Sequence, residues 1–147
     1  MKKSFGNLLR ITVLATIFSL TGLVLSGAVM AEQCVDNGDG TVTDNGSGLM
    51  WQKETAGTMS WYNAVNYAVG LNLGGKTGWR LPARNELQRL YYSPCKSKMS
   101  KQPLYYWSST TYDRVTDLAW LVFFGDGDVH SALKFYSYNV RAVRAAQ

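Results

Sequence analysis

Positions of apolar and polar residues divide the chain into stretches with a period of two and stretches with a period near 3.6. Thr41-Val42-Thr43-Asp44 reads as a strand and Leu49-Met50-Trp51-Gln52-Lys53 as another, joined by the turn Asn45-Gly46-Ser47-Gly48. Trp61, Ala64, Val65, Ala68 and Leu71 recur at helical spacing, with Thr58 or Ser60 as cap and Gly74-Gly75 as stop. Gly78-Trp79-Arg80-Leu81-Pro82 leads into a second helix, with Pro82 near its first turn and Leu87 and Leu90 on one face. Residues 93–103 are loop-like and basic. Strands follow at 105–110, 118–124, 128–130 and 138–144. The run from Leu118 to Phe124 is apolar on both alternating sets, so it is expected to be covered on both faces. Strands, two helices and then more strands make an α+β plan with segregated helices.

The first thirty-odd residues follow neither pattern. Lys2, Lys3 and Arg10 precede an uncharged apolar run that ends in Ser26-Gly27-Ala28-Val29-Met30-Ala31. A basic start, an apolar middle and small residues at the end make a signal peptide over 1–31, with cleavage expected after Ala31. The alternative is an uncleaved membrane anchor, since the run is long enough to span a bilayer. Residues 32–147 then form one domain with one core. Losing three basic residues with the leader lowers the net charge from +5 to +2, which removes most support for a nucleic-acid partner. In an oxidising compartment the only two cysteines, Cys34 and Cys95, are expected to form a disulfide; free thiols or a metal pair are the alternatives.

Asp36-Asn37-Gly38-Asp39-Gly40 looks like a calcium loop. If Gly40 took the glycine position of an EF-hand, however, Val35 would occupy the first ligand position and Gly46 the twelfth, where a bidentate Glu is required. The stretch is therefore read as a turn whose residues tolerate positive φ.

Six motifs run in order across this chain: DNGDGTVTDN-x-x-GLMWQK (36–53), W-x-x-A-x-x-Y-A (61–68), GWRLP-x-x-x-EL (78–87), YWSSTTY (106–112), AW-x-x-x-F-x-DG (119–127) and VRAVR (140–144). In this set the chain resembles the Lcl C-terminal domain family, found at the end of a bacterial collagen-like adhesin. The resemblance implies a C-type-lectin-like fold: two helices packed on a small, twisted, mostly antiparallel sheet, with a long loop region on one side. It also implies export, and several members are tied to adhesion and to sulfated glycans.

Trp79, Arg80 and Glu86 are read as a structural tether at a strand-to-helix corner, with Arg141 or Arg144 facing Glu86. Trp51, Trp61, Trp107 and Trp120 are read as core anchors. A single histidine, His130, excludes metal sites that need two or three imidazoles. No catalytic residue, metal or cofactor is expected. Asp113, Asp117, Asp126, Asp128 and Asn139 contain no calcium-lectin triplet, and Gly125-Asp126-Gly127-Asp128 reads as a tight turn. Lys96, Lys98 and Lys101, beside Tyr91 and Tyr92, are the candidate anion contacts, led into by Arg84 and Arg89. Tyr112, Arg114, His130 and Lys134 lie in the other loops of the same half. The expectation is an exported, non-catalytic binding module for an acidic or sulfated glycan or other surface polymer, in the periplasm or at the cell surface. The alternative is a structural or protein-interaction subunit of an envelope assembly.

Overall fold

A computed structural model describes residues 31–100 and 103–147. Residues 1–30, with most of the expected signal peptide, and Lys101 lie outside the described residues.

The strands are β1 (Cys34–Asp36), β2 (Thr41–Asp44), β3 (Leu49–Gln52), β4 (Thr58–Met59), β5 (Tyr105–Thr111), β6 (Leu118–Phe123), β7 (Val129–Leu133), β8 (Tyr138–Asn139) and β9 (Val143–Ala145). Between β4 and β5 come helices α1 (Trp61–Gly70) and α2 (Arg84–Tyr92), then a 3-10 helix over Pro94–Lys98. The α+β plan holds, and it is compatible with a C-type-lectin-like arrangement. Two sheets replace the single expected one. The first has the order β1-β2-β3-β9 and the second the order β4-β8-β5-β6-β7.

Most predicted elements form for the predicted reasons. Asn37 to Gly40 reverse the chain, with Gly38 at φ 74° and Gly40 at φ 86°. Asp36 Oδ1 accepts from the Gly38 N–H, and Asp39 Oδ1 from both the N–H and the hydroxyl of Thr41. Ser60 caps α1 by accepting from the Asn63 N–H. That helix ends at Gly70, before the expected Gly74-Gly75, because Leu71 is already extended and residues 73–76 form their own small turn. At the start of α2 the Arg84 N–H is capped by Thr110 Oγ1 of β5 at 3.0 Å, while the Glu86 carboxylate reaches back to the Ala83 N–H at 2.8 Å.

Alternate residues of β6, and Phe124 just beyond it, enter two hydrophobic clusters, as the double apolar pattern of 118–124 required. Val122 and Phe124, with Tyr106, meet Trp51, Val42 and the Leu87 and Leu90 face of α2. Ala119 and Leu121, with Trp107, meet Ala64 and Ala68 of α1 together with Trp79 and Leu81. Full burial of a leucine such as Leu87 contributes about 2 kcal/mol.

Two departures position the candidate site. The stretch expected as a loop at 93–103 contains the 3-10 helix, joined to β1 by the Cys34–Cys95 disulfide. The strand expected at 138–144 is split into β8 and β9, because the chain passes there from one sheet to the other: β8 pairs with β4 and β5, and β9 with β3.

Candidate functional site

Helix α2 turns Leu87 and Leu90 inward, so the helical period leaves Asn85, Gln88, Arg89 and Tyr92 along its outer side. Opposite them lies the β2–β3 turn with Gly46 and Ser47, and together they line an open groove of about 670 Å³. Arg89 is exposed and the Tyr92 ring is 72 % exposed, an unusual state for so large a ring. Asp44, the one carboxylate in the wall, is buried; its oxygens accept from the Gly46 and Ser47 N–H groups and from the Ser93 hydroxyl. Past Ser93 and Pro94 the groove continues over the 3-10 helix to Lys96, Ser97 and Met99. The Lys96 ammonium sits 3.6 Å from the centre of the Tyr91 ring. Amides, a guanidinium, an ammonium and an exposed ring on one groove suit a polyhydroxylated anion, with hydrogen bonds from the amides and charge from Arg89 and Lys96.

A second, smaller pocket of about 310 Å³ lies where the β5–β6 connection meets Trp120. Trp120, expected in the core, is only half-buried there. Arg84, the first residue of α2, covers one side of it with its guanidinium 4.8 Å from the ring centre. Tyr112 packs 4.9 Å from Trp120, and Asp113 and Arg114 complete the wall.

The seven predicted contact residues are therefore not one surface. Lys96 lines the groove, whereas Lys98 turns to Glu32 at 3.1 Å. Tyr112 and Arg114 share the second pocket. His130 is exposed but stands opposite Leu121, on the other face of the sheet from Trp120, and meets Tyr105 edge-on at 5.2 Å. Lys134 is buried at 8 % exposure and corrects its expected role. Its ammonium donates to Thr111 Oγ1 at 3.0 Å and lies 4.2 Å over the Trp61 ring, so it ties β7 to β5 and α1.

A model of the Lcl C-terminal domain matches residues 40–144. The chain belongs to this family. Comparison with curated proteins returned no match. The family match spans every wall of both pockets except Gln33, so the groove along α2 is a feature of the family domain in this chain rather than of its flanks.

Within the domain the expected tether at Glu86 is made by Arg80 alone among the described arginines. Arg80 forms a two-pronged ion pair with Glu86, both N–O distances being 2.7 Å. Neither Arg141 nor Arg144 reaches Glu86. Arg144 donates to the carbonyls of Thr77 and Gln147. Arg141 is wholly buried and donates to the carbonyls of Gln52 (2.6 Å), Lys53 and Ser100 (2.9 Å) and to the sulfur of Met99. Burial pushes its pKa down, opposed by the Tyr106 phenol, and the group remains a cation. Cys34, Cys95 and Asp44 also converge, their ligand atoms all within 4.8 Å, but the two sulfurs are bonded to each other and offer a metal no thiolate.

Glu86 sets a pH expectation. Burial raises its carboxyl, but hydrogen bonds from Arg80 and the Ala83 N–H outweigh this and hold it below its ordinary value. A depressed carboxylate adds stability that is complete above its unfolded pKa and lost as pH falls through the folded one. Acid titration of the denaturation midpoint is therefore expected to show a loss below about pH 4.5 that is shallower in Glu86→Gln. Superimposable acid limbs would contradict this.

Sequence reading missed Asn85, Gln88 and Tyr92 as groove residues. Their i, i+3, i+7 spacing on the polar side of α2 was the available signal, but which polar side faces a groove depends on where the β2–β3 turn lies.

Proposed function

We propose that this domain is a non-catalytic binding module of an exported protein, taking an acidic or sulfated glycan or similar surface polymer in the groove along α2. The observation that carries the reading is the pairing of Arg89 and Lys96 with the exposed ring of Tyr92 along a groove whose only carboxylate among the described residues, Asp44, is already engaged. Arg89 and Lys96 supply charge, Asn85 and Gln88 select hydroxyls, and Tyr92 packs against a sugar face. Tyr112 and Trp120 offer a second ring-binding pocket. Membership of a family named for an adhesin supports a role at a surface.

Retention on an immobilised sulfated polysaccharide tests the proposal. Binding is expected to fall steeply with salt, because the contacts lie near solvent and are screened. The double variant Arg89→Ala, Lys96→Ala is expected to weaken it by at least about tenfold, since a hydrogen bond to a charged group contributes about 1.5–3 kcal/mol. Equal retention of variant and wild type at low salt would remove the groove from consideration.

The exposed rings of Tyr62, Phe135 and Tyr136 favour a protein partner as the second reading. Its mark would be a stoichiometric envelope protein that stays bound at high salt.

A further inference from the structure

In four of the five tryptophans the indole N–H is already committed or enclosed. Those of Trp61, Trp79 and Trp107 donate to the carbonyls of Ser108, Lys76 and Met59, and that of Trp51 is buried without a partner. Trp120 differs, since its indole N–H is neither buried nor hydrogen-bonded among the described residues. The Arg84 guanidinium lies over one side of the indole but forms no part of the pocket wall, so the pocket opens on the rest of the ring. Tyr112, tilted by 60° to Trp120, makes an aromatic corner with it.

The connection that carries the rest of the wall is a closed turn. Tyr112 N–H donates to Leu118 O at 2.9 Å, Leu118 N–H to Val115 O at 3.0 Å and Val115 N–H to Tyr112 O at 3.3 Å. These bonds fix the backbone at Asp113 and Arg114, so the wall is set before a ligand arrives. Both side chains are exposed, and neither makes a hydrogen bond or an ion pair among the described residues.

We infer that this pocket takes one uncharged pyranose ring, a subsite whose chemistry differs from that of the anion-binding groove; the inference rests on the reading of the domain as a glycan-binding module. A hydroxyl both donates and accepts, whereas Asp113 only accepts and Arg114 and the indole N–H only donate. Adjacent hydroxyls of one sugar therefore satisfy all three, donating to Asp113 and accepting from Arg114 and Trp120. A sulfate or carboxylate only accepts. It would meet Arg114 but face the Asp113 carboxylate, and the two neighbouring charges of the wall cancel, leaving nothing to offset that repulsion. The C–H face of the sugar packs in the Tyr112–Trp120 corner, each ring keeping its polar end for a hydrogen bond. Ligand pockets begin at about 300 Å³, so a volume of about 310 Å³ suits one ring rather than a chain.

The test is a titration of the protein, with its Cys34–Cys95 bond intact, by the neutral methyl pyranosides of glucose, galactose, mannose, fucose and N-acetylglucosamine, read on the indole N–H signals by heteronuclear NMR. One indole signal is expected to move, with a dissociation constant of about 1 mM for a ligand of about a dozen atoms. It is expected to be the signal missing from Trp120→Phe. Binding is expected to be equal at low and high salt, because an uncharged ligand is not screened. Asp113→Ala and Arg114→Ala, both at exposed positions, are each expected to weaken it about tenfold or more, while the double variant Arg89→Ala, Lys96→Ala leaves it unchanged. The inference is overturned if no pyranoside of the set moves the Trp120 signal at about a hundredfold that concentration. It is equally overturned if methyl glucuronide, which adds a carboxylate, binds more tightly than methyl glucoside, or if both alanine variants bind as the wild type does. None of these results touches the groove, whose own failure is read as equal retention of wild type and the Arg89, Lys96 double variant on the sulfated polysaccharide.

Discussion

Replacing Arg141 with Met is expected to lower stability by about 3 kcal/mol, read as a lower denaturant midpoint at unchanged slope. The guanidinium is wholly buried, and none of the ion pairs among the described residues includes it. Its role is that of a multiple donor, holding Gln52 and Lys53 at the end of β3 and Ser100 at the end of the basic segment. Met fills much of the same volume but donates nothing, which leaves the buried Gln52 carbonyl without the guanidinium. Arg141→Lys is expected to fall nearly as far, since one ammonium on a flexible stem cannot serve carbonyls that the planar fork reaches from two nitrogens. A Lys variant close to wild type would mean that the charge alone matters, and a Met variant within about 0.5 kcal/mol would mean that neither does.

Removing the disulfide with Cys34→Ser and Cys95→Ser is expected to cost about 4 kcal/mol, the chain-entropy value for a separation of 61 residues. A domain of this size is stable by only about 5–15 kcal/mol, so the variant is expected to lose much of its folded population at physiological temperature. Thermal melts with and without reductant make the measurement; the reduced wild type should track the Ser variant. A melt unchanged by reductant would show that the bond crosslinks a part of the chain already fixed by packing. Arg141 and the disulfide hold the same basic segment, one at Ser100 and the other at Cys95. Their losses are therefore expected to be non-additive in a double-mutant cycle, since either one alone already loosens the segment that presents Lys96.

The fold was legible wherever a residue's role depends on near neighbours. The Asn37–Gly40 reversal, the Ser60 cap, the Leu87 and Leu90 face and the double coverage of β6 all follow from local spacing. What escaped depends on distant partners. Nothing in Val140-Arg141-Ala142 says that an arginine will be buried there, because the carbonyls that receive it belong to β3 and to Ser100. Trp120 looked like a core residue by composition, yet Arg84 at the start of α2 covers only one side of its ring. Lys134 looked like a loop cation, yet Trp61 and Thr111 close over it. Of the site, Lys96 and the Tyr112–Arg114 pair were visible from charge and ring content. The outer stripe of α2 became visible only once the β2–β3 turn stood opposite.

One consequence of the Arg141 contacts concerns the order of events as the chain folds. The bond to the Gln52 carbonyl spans 89 residues, and β9, which pairs with β3, contains nearly the last residues of the sequence. Contacts of such separation close late, since loop entropy must be overcome before they stabilise anything. Dehydrating a guanidinium before its acceptors are in place is unfavourable as well. Its entry should therefore be a late locking step, in which the basic segment reaches its final shape only after the C-terminal strand has docked. A chain interrupted before Arg141 would keep all its groove residues and still fail to set them in place.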